Sequence, residues 1–382
     1  MELEFYLGPV NAVMLNAAKR IEEGRIGSDI SIIEKADGFD PGEFDVAIVG
    51  VEEGINSPGN EECSKAPDEI RKQLYELRAF NNGLRVADMG NIRGRTANDK
   101  LIALTEVCSF LIKNSVIPVV IGGGHDFTLA ITGAAVTDGS FNLGIIDHTI
   151  DISEDDDDLT SGSFLSRLFS EKAKKPGHIS VIGVQKYFYS KFQEDFIHNN
   201  FFDLIRLGEI KGEAIKNAEP YLRDTDILSV DVSSVKRTDM PAQKGAMPNG
   251  LFSHEICQLA WYAGMSDRLK AFGLFEVNPA KDDPAGSGVA LAAQTIWHFI
   301  EGVSLRHKDY PLRDIETYSI YIVHLEDLGL DLRFFNNPQN GRWWAGIPRE
   351  EGEIIVSCTK EDYDNALKNE ISDRWIFFTK KK

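Results

Sequence analysis

Four apolar runs of this 382-residue chain end in residues that can bind a metal ion or move a proton. VIPVVIGGG (116–124) leads into His125 and Asp126. FNLGII (141–146) leads into Asp147, His148, Thr149, Ile150 and Asp151. ILSV (227–230) leads into Asp231, Val232 and Ser233, and AFGLF (271–275) into Glu276, Val277 and Asn278. An imidazole with several carboxylates is a donor set for a hard or borderline divalent ion such as Mn2+, and it is permissive enough for Zn2+. Taken singly, each piece reads more simply as structure: GGGH as a tight turn, a strand-end Asp as the cap of the next helix. Asp231 and Ser233 are expected to share one face by the period of two. The chemistry lies in their common position, because open parallel sheets bind ligands beyond the carboxyl ends of their strands.

The elements that must position these residues alternate. DVAIVGV (45–51) is a continuous β-branched run, the kind buried on both faces of a parallel sheet. Pro67 opens a helix with acidic residues in its first turn. A strand at 85–90, a helix at 100–113, the runs quoted above and HISVIGVQ (178–185) continue the pattern, with helices at 253–267 and 285–303. Such alternation predicts an α/β fold of three α/β/α layers around a mainly parallel central sheet. We place this domain at residues 44–307, after an N-terminal extension (1–43) and before an α+β appendage (308–382). In the appendage, 318–325 and 332–347 read as antiparallel strands with PQNG (338–341) as a hairpin turn. A helix near 361–370 and a strand at 374–379 are expected to follow. Phe334, Phe335, Trp343, Trp344 and Trp375 read as core or as an oligomer contact.

Composition narrows the function classes. Lys and Arg number 41 against 60 Asp and Glu, a formal charge of −19. That argues against a nucleic-acid binder, which needs clustered cations, and against docking on anionic membranes. No run approaches the ~18 apolar residues of a membrane span. Cys63, Cys108, Cys257 and Cys358 form no CxxC pair and no disulfide framework; with no signal-like N-terminus, a cytoplasmic protein is expected. Glu154–Asp158, five consecutive acids, reads as a solvated loop or as a rim attracting a cationic substrate.

GGGHD, DHTID, SVDVS and FEVNP, in this order over residues 40–303, resemble the ureohydrolase superfamily of arginase, agmatinase and formimidoylglutamase. The family pattern is GG-x-H, D-A-H-x-D, S-x-D-x-D and a Glu strand end. The GGGHD turn, LTSGSFLSRLF (159–169) and EVNPAKD (276–282) look closest to the formimidoylglutamase branch. The resemblance implies an arginase-like fold, Mn2+ as the metal, a small amidine or formimidoyl substrate and a homo-oligomer. It implies that His125, Asp147, Asp151 and Asp231 hold a first ion, that Asp151 and Glu276 serve catalysis, and that Glu276 lies near the substrate amidinium. Ser161, Gly162 and Ser163 fall in the substrate-pocket segment, and Asp282 or Asp283 is expected to orient the region of Glu276.

The family holds two Mn2+ ions with a bridging hydroxide, and there the sequence departs from it. A second ion would share Asp147 and Asp231 and add the His of D-A-H-x-D and the last Asp of S-x-D-x-D. Those positions are Thr149 and Ser233. His148 adjoins the first of them, but neighbours on an extended backbone point to opposite faces. Two readings follow: a hydrolase of linear amidine or formimidoyl C–N bonds with one ion, or a non-catalytic protein of the same fold.

Overall fold

The computed structural model describes the chain apart from residues 1, 36–37, 81–82, 137–139, 155–157, 171–174, 246, 311–314, 327–328, 350–351 and 381–382. Ten strands of the described residues join one sheet: β1 (Leu7–Gly8), β2 (Ser31–Ile32), β3 (Val46–Gly50), β4 (Val86–Ile92), β5 (Ile117–Ile121), β6 (Asn142–Ile146), β7 (His178–Val184), β8 (Asp203–Arg206), β9 (Ile227–Asp231) and β10 (Ala271–Phe275). Their order is β1-β4-β3-β5-β10-β9-β6-β7-β8, with β2 beside β4. Every pairing is parallel except β1 with β4.

The strands read as unbroken apolar runs because both faces are covered. Ile48, Ile121, Leu228 and Leu274 enter a core with helices Ala66–Tyr75, Ser253–Gly264 and Ser287–Ser304. Val49, Val120, Ile145 and Val181 enter a second core with Ala97–Lys113, Thr128–Ala135 and Phe164–Ser170. All four cysteines are buried and free. Among the described residues no helix is long and apolar enough to cross a membrane.

Four further strands form a separate antiparallel sheet, β11 (Ser319–Leu325), β12 (Leu330–Asn336), β13 (Trp343–Arg349) and β14 (Gly352–Cys358). The turn between β12 and β13 falls at the expected place, closed by Gly341 N–H to Asn337 O at 2.8 Å, with Gly341 at φ +74°. The five aromatic residues singled out above are all buried. Residues 374–379 are not a strand: Asp373–Lys380 is a helix. Aromatic and β-branched content suggested β structure, but burial repeats every third residue, with Trp375 and Phe378 inside and Ile376 exposed. The strands β1, β8 and β14 were not anticipated.

A buried charged network ties this sheet to the main one. Arg374 reaches Asp224 at 2.8 Å and Asp203 at 3.3 Å and donates to Ser357 O at 2.7 Å. His178 bonds Asp203 at 2.7 Å, and the Arg223 guanidinium lies 4.4 Å from the Trp344 ring centre. Burial alone would raise the Asp203 pKa, but His178 and Arg374 outweigh it and hold the carboxyl below its ordinary value. A depressed carboxyl stabilises the fold above its ordinary pKa, and that contribution is lost as the pH falls through the folded value. Removing the cation strands buried carboxylates, at about 3–5 kcal/mol. Arg374→Ala is therefore expected to be strongly destabilised at pH 7, with the deficit shrinking toward pH 4 as Asp203 takes up a proton. Urea unfolding at the two pH values checks this, and a deficit independent of pH would contradict it.

Candidate metal centre

The strands carrying the four chemistry-bearing ends, β5, β10, β9 and β6, are adjacent at the middle of the sheet. Their registers keep the ends level: Leu274 pairs with Ile121, Phe275 with Asp231 and Ile146 with Val230. After β5 the chain turns through Gly122 and Gly123 at φ +77° and +81°, a region that disfavours a Cβ. The turn delivers His125, fully buried, beneath the rings of Phe164 (4.7 Å) and Phe275 (5.8 Å).

The two nitrogens of His125 face different surroundings. Nε2 lies 2.9 Å from Ser229 Oγ, which in turn lies 2.6 Å from Thr128 Oγ1. Nδ1 faces the carboxylates: Asp151 Oδ2 at 2.8 Å, Asp147 Oδ2 at 3.6 Å and Asp231 Oδ2 at 3.8 Å. His125, Asp147 and Asp151 offer atoms that all lie within 4.8 Å of one another; Asp231 stands just outside that group. The loop to Asp151 is pinned by Leu165 N–H donating to Asp151 O at 3.0 Å.

Electrostatics in this cluster favour a cation. Burial alone would lower the His125 pKa, but the Asp151 hydrogen bond and the charges of Asp151, Asp231 and Asp147 drive it up to about 9. Burial, then the Asp147 charge, raises Asp231 to about 7 and holds Asp151 well above the usual carboxylate range. Asp147 goes the other way: burial opposes it, but the His148 hydrogen bond keeps its carboxyl low. Asp147 Oδ2 is buried and has no hydrogen-bond partner, an arrangement that costs free energy unless a cation is near.

Of the two positions where the family pattern is broken, Ser233 lies elsewhere than alternation suggested. β9 ends at Asp231, and residues 232–234 form a 3-10 turn, so Ser233 does not follow the strand period. Its N–H donates to Asp231 Oδ1 at 2.7 Å. The Thr149 hydroxyl donates to Phe188 O at 3.1 Å. His148 does not face away: β6 ends at Ile146, and the ring turns back so that Nδ1 lies 2.8 Å from Asp147 Oδ1 and 2.9 Å from Ser233 Oγ. Burial alone would lower its pKa, but Asp147 raises it to about 9.

Glu276 sits at φ +65° just past β10. Its Oε1 accepts from Ser57 Oγ (2.6 Å) and the His125 backbone N–H (2.9 Å), and its Oε2 from Asn60 Nδ2 (2.8 Å). The acceptor thus lies one backbone bond from the His125 side chain. Ser161 N–H donates to Asn56 O at 2.8 Å, and Ser163 Oγ bonds Thr160 within its own loop. Gly162 is exposed, while Ser163 lines a cavity of about 920 Å3 together with Asn56, Arg95, Asp158 and Arg167. Asp282 and Asp283 do not orient the Glu276 region; their oxygens accept backbone N–H groups at the start of helix Ser287–Ser304. Of the acidic run Glu154–Asp158, residues 155–157 lie outside the described part of the chain.

Several participants were not anticipated. Asn56, Ser57 and Asn60 come from the loop after β3 and hold Asp126 and Glu276. Asp126 is buried, and burial followed by the Glu276 charge lifts it to about 6 against the Asn56 hydrogen bond. The period of two from Asp231 does point back to Ser229; nothing in the sequence marks the loop residues.

Three adjacent parallel strand ends bring one imidazole and three carboxylates around a common point, and a fourth adds Glu276, so the fold and the donor set define an α/β protein with a candidate site for a divalent cation. Residues 44–301 match the model of the Arginase family, and the chain belongs to that family. It is 23% identical over 278 residues to the formimidoylglutamase of Lysinibacillus sphaericus, spanning 67% of this chain and 84% of that one. The formimidoylglutamase of Staphylococcus haemolyticus is 23% identical over 272 residues, 67% of this chain and 85% of its own. Among solved structures, Trypanosoma cruzi formiminoglutamase with Mn2+ superimposes with a TM-score of 0.67 at 20% identity, covering 75% of this chain and 100% of that one. Formimidoylglutamase from Bacillus subtilis gives 0.66 at 19% identity, covering 77% and 99%. Formimidoylglutamases are thus among the relatives and solved structures to which the chain is similar.

Proposed function

We propose that the chain hydrolyses a linear C–N bond in an amidine or formimidoyl compound with one divalent ion, Mn2+ foremost, held by His125, Asp147, Asp151 and Asp231. The observation that carries this reading is the buried Asp147 Oδ2, which has no hydrogen bond, on the same side as His125 Nδ1 and two further carboxylates. A bound ion supplies Lewis acidity, bringing the ionisation of water near neutral pH. The chain supplies the rest. Ser229 and Thr128 fix the imidazole, as a second layer of hydrogen bonds does for metal-binding histidines. Glu276 keeps one acceptor position on Oε2 open for an amidinium N–H. Phe164 and Phe275 keep water from the ring, which strengthens the surrounding charges.

In the reaction, water adds to the amidine carbon, the C–N bond to the substituted amine breaks, that amine leaves with a proton, and an amide remains. The relatives' names point to N-formimidoyl-L-glutamate as the first substrate to try. The Mn2+-loaded chain is expected to release formamide from it, seen by NMR, while the chain in EDTA and His125→Ala do not. Two further arms, agmatine and L-arginine, test other amidines. Absence of turnover in every arm would favour a second reading, an ion-binding protein without hydrolysis. One observation supports that alternative: the Thr149 and Ser233 hydroxyls are committed to Phe188 O and His148.

A further inference from the structure

Asp147 and Asp231 could be shared between two cations only if each kept an acceptor position on the oxygen turned away from His125. Asp147 Oδ1 accepts from the His148 backbone N–H (2.5 Å), His148 Nδ1 (2.8 Å) and the Thr149 N–H (3.3 Å). The His148 ring is the one side-chain donor of the three, and Oδ2, without a hydrogen bond, is turned toward His125. Asp231 Oδ1 takes one donor, the Ser233 N–H, and keeps its second acceptor position, while Oδ2 faces His125 Nδ1 at 3.8 Å. It is thus on the Asp147 side that a second cation is shut out, and the group there that a substitution can remove is the His148 ring.

His148 is the side chain in that closure. Because an ionised Asp147 can only accept, the proton on Nδ1 points to Oδ1, with Ser233 Oγ at 2.9 Å as its second acceptor. The ring meets the Phe188 ring edge-on at 5.1 Å, the Gln185 N–H pins the His148 backbone carbonyl at 2.9 Å, and the side chain is 15% exposed.

We propose that His148 is a positioning residue that closes the second-cation side of the centre, locking Asp147 so that the centre takes one ion and not two. This rests on the single-ion reading above, and it explains why restoring lost ligand types would not by itself restore a pair. Substituting Thr149→His and Ser233→Asp adds donors, but the imidazole between Asp147 and residue 233 still fills the space. Only its removal opens the second side.

The test loads wild type, H148A, T149H/S233D and H148A/T149H/S233D with Mn2+, removes free ion, and reads metal per chain and the low-temperature EPR spectrum. Wild type and T149H/S233D are expected to hold one ion with the six-line spectrum of an isolated Mn2+. The triple variant is expected to hold two, with an exchange-coupled spectrum. H148A alone is expected to keep one ion at about 10- to 100-fold lower affinity, as when the partner of a metal ligand is lost. Two ions in T149H/S233D, or two in wild type, would overturn the proposal while leaving a metal centre in place. No ion in wild type would overturn the single-ion reading and this proposal with it. If the triple variant does not fold, H148A decides: unchanged affinity refutes the lock, and reduced affinity at one ion supports it.

Discussion

Replacing Asp231 by Asn is expected to raise the melting temperature of the metal-free protein and at the same time abolish its response to Mn2+. Both effects come from one crowded cluster. Asp231 shares a buried site with Asp147 and Asp151, and burial and the Asp147 charge lift its carboxyl to about 7. The sign follows from linkage: a carboxyl raised in the folded state holds its proton longer than in the unfolded chain, so stability is lost as the pH rises from its ordinary value of 3.8 through about 7. Asn has nearly the same shape, and its Oδ1 can still accept the Ser233 N–H, so the variant escapes that loss. In EDTA the two proteins should melt alike near pH 4, diverge through pH 7 and then run parallel, with Asn higher by on the order of 4 kcal/mol. With Mn2+ at 100 times its dissociation constant, wild type gains about 2.7 kcal/mol. The variant has lost a charged donor and should gain little. Thermal melts at pH 4, 6 and 8 with and without Mn2+ measure all of this. A variant less stable than wild type in EDTA at pH 8, or one that keeps the full Mn2+ shift, would remove Asp231 from the centre.

That opposition between stability and binding bears on what could be read from the sequence. The apolar runs announced a sheet covered on both faces, and the residues ending four of them were the ones that meet. What alternation could not give is the strand order. β10 lies between β5 and β9 although it comes last of the four in the chain, and only that insertion sets Glu276 beside His125. Rules of strand geometry also stopped where the strands did. Ser233 and His148 each lie two residues past the ends of β9 and β6, where the period of two no longer holds, and both take directions it did not predict. The loop residues Ser57 and Asn60 act across more than 200 positions of sequence, with no periodic pattern to mark them. Helix Asp373–Lys380 was misjudged because aromatic content outweighed the three-residue spacing of Trp375 and Phe378.

At Glu276 the backbone and the side chain make separable demands, and a pair of variants should separate them. Its φ of +65° places a Cβ-bearing residue in the left-handed region, at a cost of about 1–2 kcal/mol. Such strain survives where the surroundings insist on it, and here they do. The Glu276 N–H donates to Gly123 O at 3.0 Å, and the carboxylate collects Ser57, Asn60 and the His125 N–H. Glu276→Gly and Glu276→Ala both delete the carboxylate and leave those donors unanswered, so both should be less stable than wild type. They differ in Cβ alone, and the Gly variant should be the more stable of the two by about 1 kcal/mol. Glu276→Gln is no silent replacement either. Asn60 cannot turn its amide to meet a new N–H donor, since its Oδ1 already accepts from Asn278 Nδ2 at 2.8 Å, and Asn278 Oδ1 is held by the Ala280 N–H. The Gln variant should therefore lose about 1–3 kcal/mol. If Glu276 also binds the amidinium, kcat/KM for a formimidoyl substrate should fall by about 100-fold or more in all three, the scale of losing one partner of a buried charge pair, while the Mn2+ count stays at that of wild type. Chemical denaturation, metal content and turnover on the same preparations read the three effects apart. Equal stability of the Gly and Ala variants would deny the strain, and unimpaired turnover in the Gln variant would deny the role in substrate binding.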